Sequence, residues 1–242
     1  MIDASEMTEE NNEFAPARRV GRVLFVALGC GFIGSILAFT TSGLDVSSPA
    51  DLKGHETVVL ALPFLIALIG GAFISAGLDG RSPLRVLRLD HWKLRLAVMA
   101  FFVGVACQAI VVMFDYLVLG STSDSDGLSN TSLFVDSFSG TNQIFILIIF
   151  TCCLLPLADE LLYRGVLLPL TIRRWSGTKS VVLISLLFAL SHFDLAQFPS
   201  LLFVGIVFGL LRWKKDSTTL PLIAHISFNF SGLMIVMSGV TF

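Results

Sequence analysis

Seven mostly apolar runs follow one another along this chain, at about 23–41, 57–77, 96–119, 142–173, 180–195, 199–213 and 219–240. A hydrocarbon core about 30 Å thick is crossed by a helix of roughly 17 to 25 such residues, whereas a membrane barrel shows short alternating segments instead. With 55% hydrophobic and only 14% charged side chains, an ordinary soluble domain is excluded. The expected fold is all-α: a polytopic membrane bundle of about seven transmembrane helices.

Charge placement tests that count, because cytoplasmic loops carry the excess of Lys and Arg. With the N-terminus inside, Arg18, Arg19 and Arg22 lie on the cytoplasmic side, as do Arg81, Arg85, Arg88, Lys93 and Arg95. So do Arg173, Arg174 and Lys179, and then Arg212, Lys214 and Lys215. Only Lys53 falls outside and only Arg164 lies within a span, which places all 16 basic residues. One invented or missed helix would scramble the pattern. Residues 1–17 form an acidic tail without the basic start of a signal peptide, so no cleaved leader is expected. Residues 18–141 hold the first three spans and a Ser/Asp-rich exposed loop from 120, in which a short amphipathic piece spans 133–138. Residues 142–242 hold spans four to seven. The four cysteines all fall in apolar runs and read as small core residues. Gly29, Gly31 and Gly34, and the pair Gly205 and Gly209, read as close helix contacts. The net charge of −2 gives no reason to expect a nucleic-acid partner.

Against this apolar background stands Asp159-Glu160-Leu-Leu-Tyr163-Arg164, two acids and an arginine inside the fourth span. An ionised side chain at bilayer depth costs about 2.5 to 3.5 kcal/mol on insertion scales, faces an interior and usually carries function. Counting 1.5 Å per residue from the cytoplasmic ends puts Asp159 and His192 about 20 Å up, and His225 and Asn229 roughly 15 to 20 Å up. Four polar groups on three helices share one level. Glu160 and Arg164 stand four apart with the acid first, the favourable order for an ion pair, and are assigned to structure. Asp159 lies about 100° round the helix and is the freer carboxylate. His225 and Asn229 stack on one face, and Phe188 stands one turn before His192 as a wall. His55 and His91 fall in loops and read as solvated; Asp115, Asp194 and Tyr163 are weaker candidates.

A carboxylate in a dry pocket beside imidazoles can take a proton from water, a neutral His can hold that water, and an Asn can donate to an oxyanion. That combination suggests hydrolysis. Asp159, His192 and His225 also make a three-ligand zinc set with an open position, and the sequence does not separate the two readings. The blander alternatives are a buried ion pair that only fixes helix geometry and histidines that only pack.

With these residues in hand, the chain resembles the CPBP family of intramembrane proteases, which includes CAAX prenyl endopeptidases and bacteriocin-processing and immunity proteins. Three motifs in order carry the likeness: Asp159-Glu160 with Arg164, Phe188 with His192, and His225 with Asn229. The resemblance covers about the last 100 residues. It implies a helical membrane fold with a cavity open toward the cytoplasm. There Asp159 and His192 would activate a water, His225 and Asn229 would stabilise the oxyanion, and Glu160 with Arg164 would support them. The implied substrate is a protein or peptide, with or without a lipid group, and a metal requirement stays open. The family usually has Glu where this chain has Asp159, one methylene shorter, and displacing a catalytic group by about 1 Å can cost about a hundredfold in rate. The reading is therefore an endopeptidase of a bacterial plasma membrane, with a non-catalytic scaffold or immunity protein as the alternative. A proton-coupled transporter would use the same buried acids as a relay.

Overall fold

The computed structural model describes residues 4–42, 54–78, 80–119, 135–138 and 140–238, and of residues 4–17, 118 and 119 the backbone alone. Among the described residues eight helices follow in order: α1 (Ala4–Ser42), α2 (Gly54–Gly77), the short α3 (Pro83–Val86), α4 (Leu94–Leu119), α5 (Thr141–Ile172), α6 (Gly177–Leu190), α7 (Phe198–Lys215) and α8 (Thr219–Met237). Among the described residues there is no strand. Five of the helices, α1, α2, α4, α5 and α8, are long and apolar enough to cross a membrane. α7 is 18 residues long but ends in Arg212, Lys214 and Lys215. With α6 and α7 the bundle has the seven embedded helices expected.

α5 is the hub. It packs against α2, α6 and α8, while the other close pairings are α1 with α2, α4 with α8, and α6 with α7. Small residues permit those pairings. A side chain at Gly31 or Gly34 would strike Phe64 or Pro63 across the α1–α2 seam, and one at Gly205 or Gly209 would press on Ser185 or Val181 between α6 and α7. At Gly104 a Cβ would collide with the Ala224 carbonyl of α8. Gly29 faces open space and does not share this role. Large apolar side chains cover the outside, among them Phe25 at 79% exposure and Leu94 at 73%. In a lipid solvent that outward apolar face is at home.

α5 is continuous but not uniform. Phe150–Leu154 and Glu160–Leu167 are π-helical, each closed by a backbone N–H reaching five residues back: Leu155 to Phe150 and Leu168 to Tyr163. Pro156 and Pro169 come directly after those two donors. A proline ring clashes with the carbonyl four residues earlier and offers no N–H, so a locally widened turn lets the helix continue.

Several sequence expectations need correction. The fifth span was expected to reach 195, yet α6 ends at Leu190 after 14 residues, about 21 Å. In the turn that follows, Asp194 accepts the backbone N–H groups of Ala196 and Gln197, and Phe193 takes a left-handed φ of 52°. His192 thus sits in the turn beyond α6. Cys107 and Cys152 are buried, but Cys30 and Cys153 are on the outer surface. His55 lies in the first turn of α2 and is half-buried instead of solvated in a loop. The acidic stretch from Ala4 is backbone-continuous with α1. Most of the Ser/Asp-rich loop lies outside the described residues, as do residues 133 and 134 of its amphipathic piece. Of the remaining 135–138, Asp136 is exposed and Phe138 is buried against α2 and α5.

Candidate active site

Glu160 and Arg164 project from the second π turn of α5 into the bundle, and neither has any exposed surface. Arg164 Nη1 donates to Glu160 Oε1 at 2.9 Å, and its Nη2 donates to the Gly205 carbonyl of α7 at 3.1 Å. The guanidinium carbon lies 4.6 Å from the centre of the Phe188 ring and 5.9 Å from that of Phe208. A cation kept from water is offset here by an anion, a backbone dipole and two ring faces. Gly205 serves this site as well as the helix contact, because its bare Cα lets α7 approach Ser185 and Phe188 closely.

His225 of α8 completes the buried set. Its Nδ1 lies 2.9 Å from the same Glu160 Oε1, with the ring tilted against Phe208 and only 6% of the residue exposed. A carboxylate accepts, so Nδ1 carries the proton and Nε2 is the free ring nitrogen. The structure therefore joins Glu160, Arg164 and His225 directly, whereas spacing alone had paired only the first two.

His192 is held by a separate device. Its Nδ1 lies 2.8 Å from the Phe188 carbonyl, which can only accept, so here too Nε2 is left free. Its ring packs edge-on to Phe188 with centroids 4.7 Å apart. Tyr163 Oη donates to Ser191 Oγ at 2.7 Å, and Ser191 Oγ donates to the same Phe188 carbonyl. Tyr163, a weaker candidate from sequence, thus fastens the turn that carries His192.

Asp159 differs from its neighbour. It is half-buried, and no hydrogen bond or ion pair to it is found among the described residues. His225, His192, Glu160 and Arg164 are all within electrostatic reach of its carboxylate. Asn229, one turn beyond His225, donates to the Thr151 carbonyl of α5 at 2.7 Å, which commits one of its two N–H groups. Asp115 and Asp194 lie elsewhere: Asp115 accepts from Ser200 at 3.2 Å, and Asp194 accepts from Gln197 in the turn before α7.

The zinc set read from sequence is not assembled. Among the described residues no group of three or more His, Cys, Asp or Glu side chains is placed to hold a metal ion. No step below runs through a metal.

Arg212, read from sequence only as one more cytoplasmic charge, also serves the interior. It is 7% exposed and its Nε donates inward to the Arg164 carbonyl at 3.1 Å, while Nη1 pairs with Asp216 at 2.8 Å. Asp216 in turn pairs with Arg88 at 3.1 Å. The one signal was its place three residues before the end of an apolar helix, a full turn deeper than Lys215.

Residues 141–231 match the model of the family described as Type II CAAX prenyl endopeptidase Rce1-like. That segment runs from the first turn of α5 through Asn229 and so contains all three motifs, which bears out the resemblance read from them. No curated protein and no solved structure matches the chain.

Proposed function

We propose that this multi-pass membrane protein, whose residues 141–231 carry a domain of the type II CAAX prenyl endopeptidase kind, is an intramembrane endopeptidase cutting a peptide bond near the cytoplasmic leaflet. The observation that carries the reading is the contrast between the two adjacent acids. Glu160 is wholly buried with its Oε1 taken by Arg164 and His225 and its Oε2 without a hydrogen-bond partner among the described residues, while Asp159 is unbonded and partly accessible beside two imidazoles with free Nε2 atoms.

Water held between Asp159 and His192 gives up a proton as its oxygen attacks the substrate carbonyl carbon. The C–N bond then breaks, the proton passes to the leaving amine, and one water is consumed per acid and amine released. General-base help of this kind is worth about 10²–10⁴ in rate. The developing oxyanion is met by the uncommitted N–H of Asn229, beside the His225 ring that Glu160 holds at Nδ1. Arg164 holds Glu160 in place. The fitting substrate is a peptide delivered by a membrane anchor, since such a chain arrives already at the depth of the site.

The test uses the protein in liposomes with an internally quenched peptide ending in an S-farnesyl CaaX sequence, beside its unprenylated twin. Cleavage by the native chain and its loss by at least roughly a hundredfold in Asp159→Asn, with unchanged melting, is the expected result. Equal rates in the two proteins would leave the scaffold reading standing.

A further inference from the structure

Two carbonyls of α5 have lost their normal partners. In a π turn the carbonyl of residue i is met by the N–H of residue i+5. For Thr151 that residue is Pro156 and for Arg164 it is Pro169, and neither has an N–H to give. The donors at i+4 are also spent, because Leu155 N–H goes to Phe150 and Leu168 N–H goes to Tyr163. Side chains from other helices take up both orphans: Asn229 Nδ2 reaches the Thr151 carbonyl and Arg212 Nε reaches that of Arg164.

We infer that Arg212 is a positioning residue for the acid/His site, standing in for the backbone donor that Pro169 lacks. Its bond fixes the π turn from Glu160 to Leu167, which presents Glu160 and Arg164 to His225. Slipping that turn back to α geometry would remove about one residue of register, or roughly 100° of rotation, between Asp159 and the cytoplasmic end of the helix. The guanidinium is suited to this as a point charge is not. Its planar fork lets Nε hold the carbonyl while Nη1 holds Asp216, and Asp216 is clamped from the far side by Arg88. A charge that merely marked the cytoplasmic side would turn its head to water, yet Arg212 is buried and aimed into the bundle.

The kinetic part of this inference rests on the proposed peptidase activity; the structural part does not. The test is a double-mutant cycle between Arg212→Met and Pro169→Ala, because alanine returns an N–H at position 169. Arg212→Met alone is expected to lower the melting temperature in detergent by roughly 4–8 °C, as a buried carbonyl goes unpaired. It should also cut kcat on the farnesylated CaaX peptide about tenfold with KM within twofold. In the Pro169→Ala background the same change should cost less than half as much in both readouts. That rescue is what a purely structural loss of the Asp216 pair would not give. An equal Tm loss in both backgrounds, or no loss in either, overturns the assignment. Should Arg212→Met fail to accumulate, Arg212→Lys, which can serve Asp216 or the carbonyl but not both, runs the same cycle. If the native chain leaves the peptide uncut while the Tm cycle behaves as stated, the peptidase reading falls and the role of Arg212 in holding the turn survives.

Discussion

Glu160 Oε1 accepts from two cationic-type donors on different helices, and that one atom ties α5 to α8 through His225 and to α7 through the Arg164 bond to Gly205. Taking away Arg164 strands a carboxylate with no exposed surface. Arg164→Ala should therefore destabilise the protein by about 3–5 kcal/mol, seen as a sharply lower Tm and yield; native melting would remove the ion pair from the structural frame. Tyr163 is subtler. Its hydroxyl acts only through Ser191 and the turn that holds His192, so Tyr163→Phe should fold normally and lose roughly fivefold in kcat, the value of one hydrogen bond of about 1 kcal/mol. At Asp159 the absence of bonds among the described residues leaves room for a longer acid. Asp159→Glu is expected to cleave the farnesylated peptide faster than the native chain, and slower cleavage would mean the pocket is shaped to the shorter side chain.

Between helices, backbone approach decides what a sequence can reveal. Gly104 faces the Ala224 carbonyl with no space for a methyl group, and Ser227 Oγ donates to the Phe101 carbonyl across the same seam at 2.9 Å. Gly104→Ala should force α4 and α8 apart and lower stability by about 1–3 kcal/mol, measured as Tm against a Gly70→Ala control that meets nothing within 4 Å. Helix number and order were legible because hydropathy and charge act over whole spans. What was not legible turns on hydrogen bonds that cross between helices. The turn after α6 has Asp194 bonding its own loop, and the inward turn of Arg212 depends on a carbonyl that Pro169 leaves open. Neither leaves a periodic trace. The π turns are a partial exception, since Pro156 and Pro169 inside an unbroken apolar run already require the backbone to adjust somewhere before them.

Across the whole molecule, the site hangs from a frame fastened at one end. Arg88, Asp216 and Arg212 form a chain of ion pairs, Thr219 Oγ1 donates to the Leu89 carbonyl, and Thr218 N–H donates to that of Arg88, all where α3 meets the turn between α7 and α8. The same end carries Arg173, Arg174, Lys214 and Lys215, all exposed. Clustered Lys and Arg at the ends of short loops belong on the cytoplasmic side, so this frame is expected to face the cytoplasm and the first turn of α5 to face out. That orientation decides which compartment supplies substrate, and it is open to direct measurement. With the native cysteines replaced by serine, Asn142→Cys should react with a membrane-impermeant maleimide on intact cells, while Arg174→Cys should react only after permeabilisation. Both positions are exposed in the bundle, so failure to react reports the membrane and not packing. The reverse pattern would put the ion-pair frame outside and remove the cytoplasmic substrate. Labelling of both from one side would mean that α5, the helix carrying both acids, does not cross.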